Sequence, residues 1–301
     1  MVLELPHLLG VVLSLFAAAL FAVQFLCIRL GTVRGGIIQA VFITLLINVI
    51  IVVPITLVVY GIPSLTMEAI VWFASAGIIG SLIARTCVFK SVQIIGASRT
   101  SPVLAANVFF ATILAVMLFD ESLTVSHAFG IIVIVVGVAI ISWETANDAN
   151  ADESLRDVGI SLLLPLFAAI FISLEPILVS LGLSAGVAVL PGVAIKVTAA
   201  WTGVVAYLLV SGGLEWELFS RTRETAWYLA AGVTSAVGIV AYFAALDVSP
   251  VVIVVPLIQI SPLLVLLLSW IFMPQRLERI TWRLFAAAIV VVIGASVVGV
   301  Q

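Results

Sequence analysis

Leu166-Phe167-Ala168-Ala169-Ile170-Phe171-Ile172-Ser173-Leu174-Glu175-Pro176-Ile177-Leu178-Val179-Ser180-Leu181-Gly182 carries a single charge, Glu175, with Pro176 beside it. Continued back to about residue 158, the apolar run is long enough to cross a hydrocarbon core, which takes about 20 residues at 1.5 Å of rise each. Its apolar residues are continuous and do not alternate, so it reads as a helix and not as a barrel strand. The same order occurs 151 positions earlier: Leu15-Phe16-Ala17-Ala18, then Gln24 in the place of Glu175, then Leu30-Gly31 in the place of Leu181-Gly182. One stretch therefore predicts both a membrane helix and an internal repeat.

The rest of the chain agrees. Of 301 residues, 64% are hydrophobic and 9% charged, and the mean hydropathy is +1.39. A soluble domain carries roughly 45–50% apolar and about 25% charged residues because its surface faces water. Apolar runs between charge and turn clusters give ten spans, at about 8–30, 37–60, 68–89, 99–119, 125–143, 158–181, 187–210, 225–246, 250–273 and 281–300. The turns between them are short, with loop signals at Gly61-Ile62-Pro63 and Ser211-Gly212-Gly213. Asp247-Val248-Ser249-Pro250 predicts a helix start with Pro250 at its first position. The first stretch has no Lys or Arg before it and is longer than a signal-peptide core, which predicts a retained span. Cys27 and Cys87 both fall in apolar spans, as buried small hydrophobes. A net charge of −3 without a basic tract argues against nucleic-acid binding.

The acidic stretch from Glu144 to Asp157 divides the spans five and five. Residues 1–145 form the first repeat, 146–157 an acidic linker and 158–301 the second repeat. Near the other end of each half, Glu121, Thr124 and Gly137 correspond to Glu278, Thr281 and Gly294 at an offset of 157. Five is odd, so a duplicated five-span unit re-enters the membrane upside down. The expected fold is an all-α polytopic membrane protein, ten transmembrane helices as two inverted five-helix repeats. Secondary transporters use that arrangement to tilt one half against the other around a midplane site.

Five plus five spans, short turns, and the stretches Phe119-Asp120-Glu121-Ser122-Leu123-Thr124…Gly137 and Arg276-Leu277-Glu278-Arg279-Ile280-Thr281…Gly294 together resemble the EamA family of the drug/metabolite transporter superfamily. The family's usual Gly-Glu-Arg reads Asp-Glu-Ser in the first half and Leu-Glu-Arg in the second. The resemblance implies transport of small metabolites, cytoplasmic termini, and a central cavity lined by helices 1, 3, 4, 6, 8 and 9.

The cations imply the opposite orientation. Arg29, Arg34, Lys90, Arg99, Arg156, Arg221, Arg223, Arg276, Arg279 and Arg283 all flank odd-numbered turns, and the even turns and both termini hold none. The positive-inside rule puts the odd turns in the cytoplasm of a multi-pass cell-membrane protein and both termini outside.

Polar groups within spans must turn inward, away from lipid. Spans five and ten are nearly featureless, hence peripheral. Glu175 is the sharpest candidate, and Lys196 lies at comparable depth across the turn near Ser184. Two readings stay open for Glu175. It is held in a fixed ion pair with Lys196, or it works as a proton-titrating coupler or ligand for a cationic group. Lys196 reaching out to the interface and Glu175 at a water-filled mouth are lesser alternatives. Gln24 is the uncharged repeat mate of Glu175. Asn107 and Gln259 hold corresponding places in spans four and nine, and Tyr242 and Arg85 complete the set. Arg85 is close enough to the third turn to extend its head toward it, and Asn48 receives no role.

These readings give a secondary transporter of small organic metabolites, amino-acid-like or drug-like, working by alternating access, with proton coupling as one role for Glu175. A flippase for lipid-linked sugars or lipids of the same superfamily is the alternative. An intramembrane enzyme is disfavoured: His7 and His127 cluster with no carboxylates, and no His-Glu-x-x-His or Walker A motif occurs. No catalytic residue, metal or cofactor is expected. The partners are a small-molecule substrate and the lipid bilayer, and two fused halves make a monomer a sufficient unit.

Overall fold

The computed structural model describes residues 5–61, 65–107, 110, 114, 125–148, 155–212, 222–248, 254, 257–273 and 280–299. Among them the secondary structure is helical, without strands. The helices are α1 (Leu5–Gly31), α2 (Ile37–Tyr60), α3 (Met67–Ile95), α4 (Ala97–Leu104), α5 (Val125–Asp148), α6 (Leu155–Ser184), α7 (Val189–Ser211), α8 (Arg223–Val248), α9 (Ser261–Phe272) and α10 (Trp282–Gly299). Six of them, α1, α2, α3, α6, α7 and α8, are long and apolar enough to cross a membrane, and shorter apolar helices occur in α5, α9 and α10. The turns with Glu121 and Glu278 and the Ser249-Pro250 start lie outside the described residues, as does span four beyond Asn107 except for residues 110 and 114.

Local chemistry accounts for the described helix ends. The Thr66 hydroxyl accepts from the Ala69 amide at 3.3 Å and caps α3. At its other end α3 runs six residues past the expected boundary. The third turn shrinks to Gly96, whose φ of +90° is open only to glycine at little cost. Hydropathy misplaced this end because polar residues here have partners inside the protein. Ser91 and Thr100 share a hydrogen bond of 2.9 Å, and Gln93 donates to the Thr32 carbonyl at 3.2 Å. Glu144, expected in the linker, lies in α5 and pairs with Arg283 of α10 at 3.9 Å.

The helix directions follow from which residues touch. Arg29 donates to the Val92 and Gln93 carbonyls at 3.0 and 2.6 Å, so α1 and α3 end at the same side and run parallel. Gly31 meets Tyr228 while Gly238 meets Phe21, so α1 and α8 are antiparallel. Phe73 meets Gly182 while Gly80 meets Glu175, so α3 and α6 are antiparallel as well. By contrast, α2 runs along α8 (Ile47 on Gly232, Asn48 on Ser235) and α3 along α7 (Phe73 on Gly192, Gly77 on Lys196). Gly137 packs on Val291 and Gly294 on Gly130, which makes α5 and α10 antiparallel. Glycines at these crossings let backbones approach closely, the usual basis of helix association where the apolar solvent itself supplies no hydrophobic drive. Large apolar side chains stand on the outside, among them Val58, Val210, Ile132 and Phe272. On a water-soluble surface such an array would be an aggregation hazard; in lipid it is the required one.

Candidate functional site

A cavity of about 320 Å³ lies inside the bundle. All seven residues singled out from the sequence line it: Gln24 from α1, Arg85 from α3, Asn107 just beyond α4, Glu175 from α6, Lys196 from α7, Tyr242 from α8 and Gln259 just before α9. Phe21, Phe25, Phe89 and Phe243 supply apolar walls. No lining residue comes from α5 or α10 among the described residues. The lining differs in one helix from the set implied by family resemblance, because α7 contributes Lys196.

That contribution depends on the middle of α3. Gly77–Ala84 is a stretch of π-helix, a form often found at functional sites. A Cβ on Gly77 would strike the Lys196 carbonyl, and one on Gly80 would strike the Glu175 carboxylate. Two glycines thus bring α3 against α6 and α7 where the two charges meet. Lys196 Nζ donates to Glu175 Oε1. The lysine side chain is 3% exposed and the glutamate 23%, so of the two groups lining the cavity the carboxylate is the more accessible. Lys196 Nζ also lies 5.6 Å from the centroid of the Phe243 ring, within cation–π range. The ring of Tyr242 is 5.3 Å from that of Phe243.

Some of the remaining polar groups are joined by hydrogen bonds, two of them across the halves. Gln259 Nε2 donates to Asn107 Oδ1 at 3.3 Å. With its amide turned so that the nitrogen faces acceptors and the oxygen faces donors, Asn48 of α2, which has no role in the sequence reading, donates through Nδ2 to the Thr44 and Gly232 carbonyls at 3.1 and 3.0 Å. Its Oδ1 accepts from Arg85 Nη1 at 3.1 Å. Arg85 therefore points inward to a buried amide and not along the helix to the third turn. The local signal of Asn48 is the one shared by the other candidates, a polar residue in an apolar span, and its importance comes from meeting α3 and α8.

Beyond the cavity, at opposite ends of the bundle, two aromatic rings seat against glycines. The Phe73 ring of α3 lies against Gly182 and Gly192, beside the turn joining α6 and α7. Val179, Val187 and Val193 complete that apolar plug. The fully buried Tyr228 ring of α8 lies against Gly31 and Gly35, beside the turn joining α1 and α2, and its hydroxyl donates to the Gly31 carbonyl at 3.0 Å. Gly31 and Gly182 are mates in the sequence repeat.

Among the described residues, no three of His, Cys, Asp and Glu converge as a metal site. Residues 8–143 match the EamA-like transporter family. No curated protein matches the sequence. A crystal structure described only as that of a protein is similar in fold, with a TM-score of 0.64 over 96% of this chain and 95% of that one at 16% identity.

Proposed function

We propose that this chain, whose residues 8–143 match the EamA-like transporter family, is a secondary transporter of small organic solutes that works by alternating access. The observation that carries this reading is the cavity. Polar side chains from both halves converge there, inside a bundle whose outer face is apolar, with an aromatic plug at either end. At about 320 Å³ it sits at the low end of the roughly 300–1,000 Å³ typical of small-molecule pockets.

The helix directions support two inverted five-helix halves. Helix α6 opposes α1, α7 opposes α2, α8 opposes α3 and α10 opposes α5, as follows from the contacts that fix each pair. The packing also repeats on exchange of the halves: α1 with α8 matches α6 with α3, and α2 with α8 matches α7 with α3. Rocking one half against the other would release the Phe73 plug on one side and the Tyr228 plug on the other while the cavity stays between them. Solute flux into proteoliposomes tests the reading. A screen of small solutes for thermal stabilisation selects the candidates, and stabilised solutes that do not cross with purified protein would overturn it.

Coupling is assigned to Glu175. Its carboxylate faces the cavity and holds Lys196, so protonation would release the lysine and change the charge presented to a solute. Glu175→Gln is expected to abolish accumulation driven by a pH gradient while leaving flux down the solute's own gradient. Unchanged pH-driven accumulation would exclude this role.

The protein lies in the cell membrane with odd-numbered turns in the cytoplasm, on the strength of the ten cations that flank them. A reporter active only in the cytoplasm, fused to either terminus, is expected to be silent; activity at either end reverses the orientation.

A further inference from the structure

Among the described residues the cavity lining holds one more positive charge than negative, and this bears on what it binds. Its lining cations are Arg85 and Lys196, and its lining carboxylate is Glu175. Glu175 is within electrostatic range of Arg85, but its ion pair is with Lys196. Among the described residues no carboxylate forms an ion pair with Arg85, and the amide orientation that satisfies Asn48 places its neutral Oδ1 on the guanidinium. A guanidinium inside an apolar bundle without a counter-ion is costly, and that cost falls when an anion arrives.

The surroundings of Arg85 are built. Asn48 is fully buried and anchored to two backbone carbonyls on different helices, α2 and α8, and it fixes Nη1 from behind. The guanidinium has five N–H donors in a planar fork, so most of its donors remain for a ligand. A carboxylate matches that fork with two parallel hydrogen bonds. The same cavity is lined by the rings of Phe21, Phe25 and Phe89, which offer an apolar body contact area but no hydrogen bonds.

We infer that Arg85 binds the carboxylate of the transported solute, that Asn48 positions it, and that the substrate class is small organic monoanions with an apolar body. This rests on the transporter reading above and narrows it. A free ammonium group on the solute is disfavoured, because the carboxylate that would receive it is occupied by Lys196.

The test uses the full-length purified protein and four probes: phenylacetate, its neutral counterpart phenylacetamide, the zwitterion phenylalanine, and phosphatidylglycerol as a lipid anion. Phenylacetate is expected to raise the melting temperature and to be carried into liposomes, with phenylacetamide at least about tenfold weaker, as loss of a charge-assisted hydrogen bond implies, and phenylalanine weaker as well, because its ammonium meets a carboxylate already held by Lys196. Arg85→Gln should keep or raise the melting temperature of the free protein and remove the response to phenylacetate. Asn48→Ala should reduce the preference for acid over amide, a ratio that a merely structural role would leave unchanged. Equal responses to acid and amide, or a phenylacetate response surviving in Arg85→Gln, overturn the inference. So does an Arg85-dependent response to phosphatidylglycerol without one to phenylacetate, which would assign the arginine to lipid headgroups. If neutral or zwitterionic solutes are transported and acids are not, the inference fails while the transporter reading stands. If no solute of any class is transported, the transporter reading itself has failed.

Discussion

Lys196→Met is expected to destabilise the protein by about 3–5 kcal/mol, the cost of leaving one member of a buried ion pair without its partner. Lys196 is 3% exposed, and its ammonium is held by Glu175 and the face of the Phe243 ring. With lysine removed, Glu175 either stays charged against apolar walls or takes up a proton. The double variant Lys196→Met with Glu175→Gln should recover most of the loss, since neither residue then carries an uncompensated charge. Melting temperatures of the wild type, both single variants and the double variant close the cycle. A double variant whose loss equals the sum of the two single losses would mean that the two charges are energetically independent despite their contact.

The second large effect concerns the plug at the α6–α7 turn. A Cβ on Gly182 would come within 2.7 Å of the Phe73 ring, and one on Gly192 would collide with it. Gly192→Val therefore cannot coexist with a seated Phe73. Overpacking of this kind costs about 1–3 kcal/mol, and an equilibrium moved by 1.4 kcal/mol shifts about tenfold. The expected result is a conformation opened at that end, because the closed one alone bears the clash. A cysteine at Ser81, which lines the cavity, in a background with Cys27 and Cys87 replaced, reports on it. Labelling by a membrane-impermeant maleimide added from the side of the α6–α7 turn should speed up about tenfold or more. Gly31→Val, which displaces Tyr228, should have the opposite sidedness. If both substitutions change labelling equally from both sides, the rings are packing elements and not gates.

Much of this architecture was legible from single segments. Spans predicted at 8–30, 37–60 and 225–246 appear as Leu5–Gly31, Ile37–Tyr60 and Arg223–Val248. Hydropathy works here because each helix meets the same solvent along its length. It failed at the end of α3, where Lys90, Ser91 and Gln93 read as a turn. There the polar side chains are used by neighbours, and the helix continues to Ile95. That extension puts Arg85 well inside the helix, which is why reaching back to the turn, a reasonable expectation from sequence distance, did not occur. The seven candidate residues were found by one criterion, polarity inside an apolar run, and the structure brings all of them to one cavity. Asn48 met the same criterion and was passed over, since a lone neutral amide in a span has many ways to be satisfied.

The sequence by itself determined that this chain is a bundle of apolar helices carrying a few inward polar groups. Lipid imposes that condition on every span separately, so each span records it in its own residues. Only the tertiary structure decided which polar group answers which: Lys196 with Glu175, Arg85 with Asn48, and Gln259 with Asn107. The partners lie between 21 and 152 residues apart. Lys196 and Glu175 meet α3 at crossings opened by Gly77 and Gly80, where the missing side chain lets a neighbouring helix approach and leaves no trace in hydropathy.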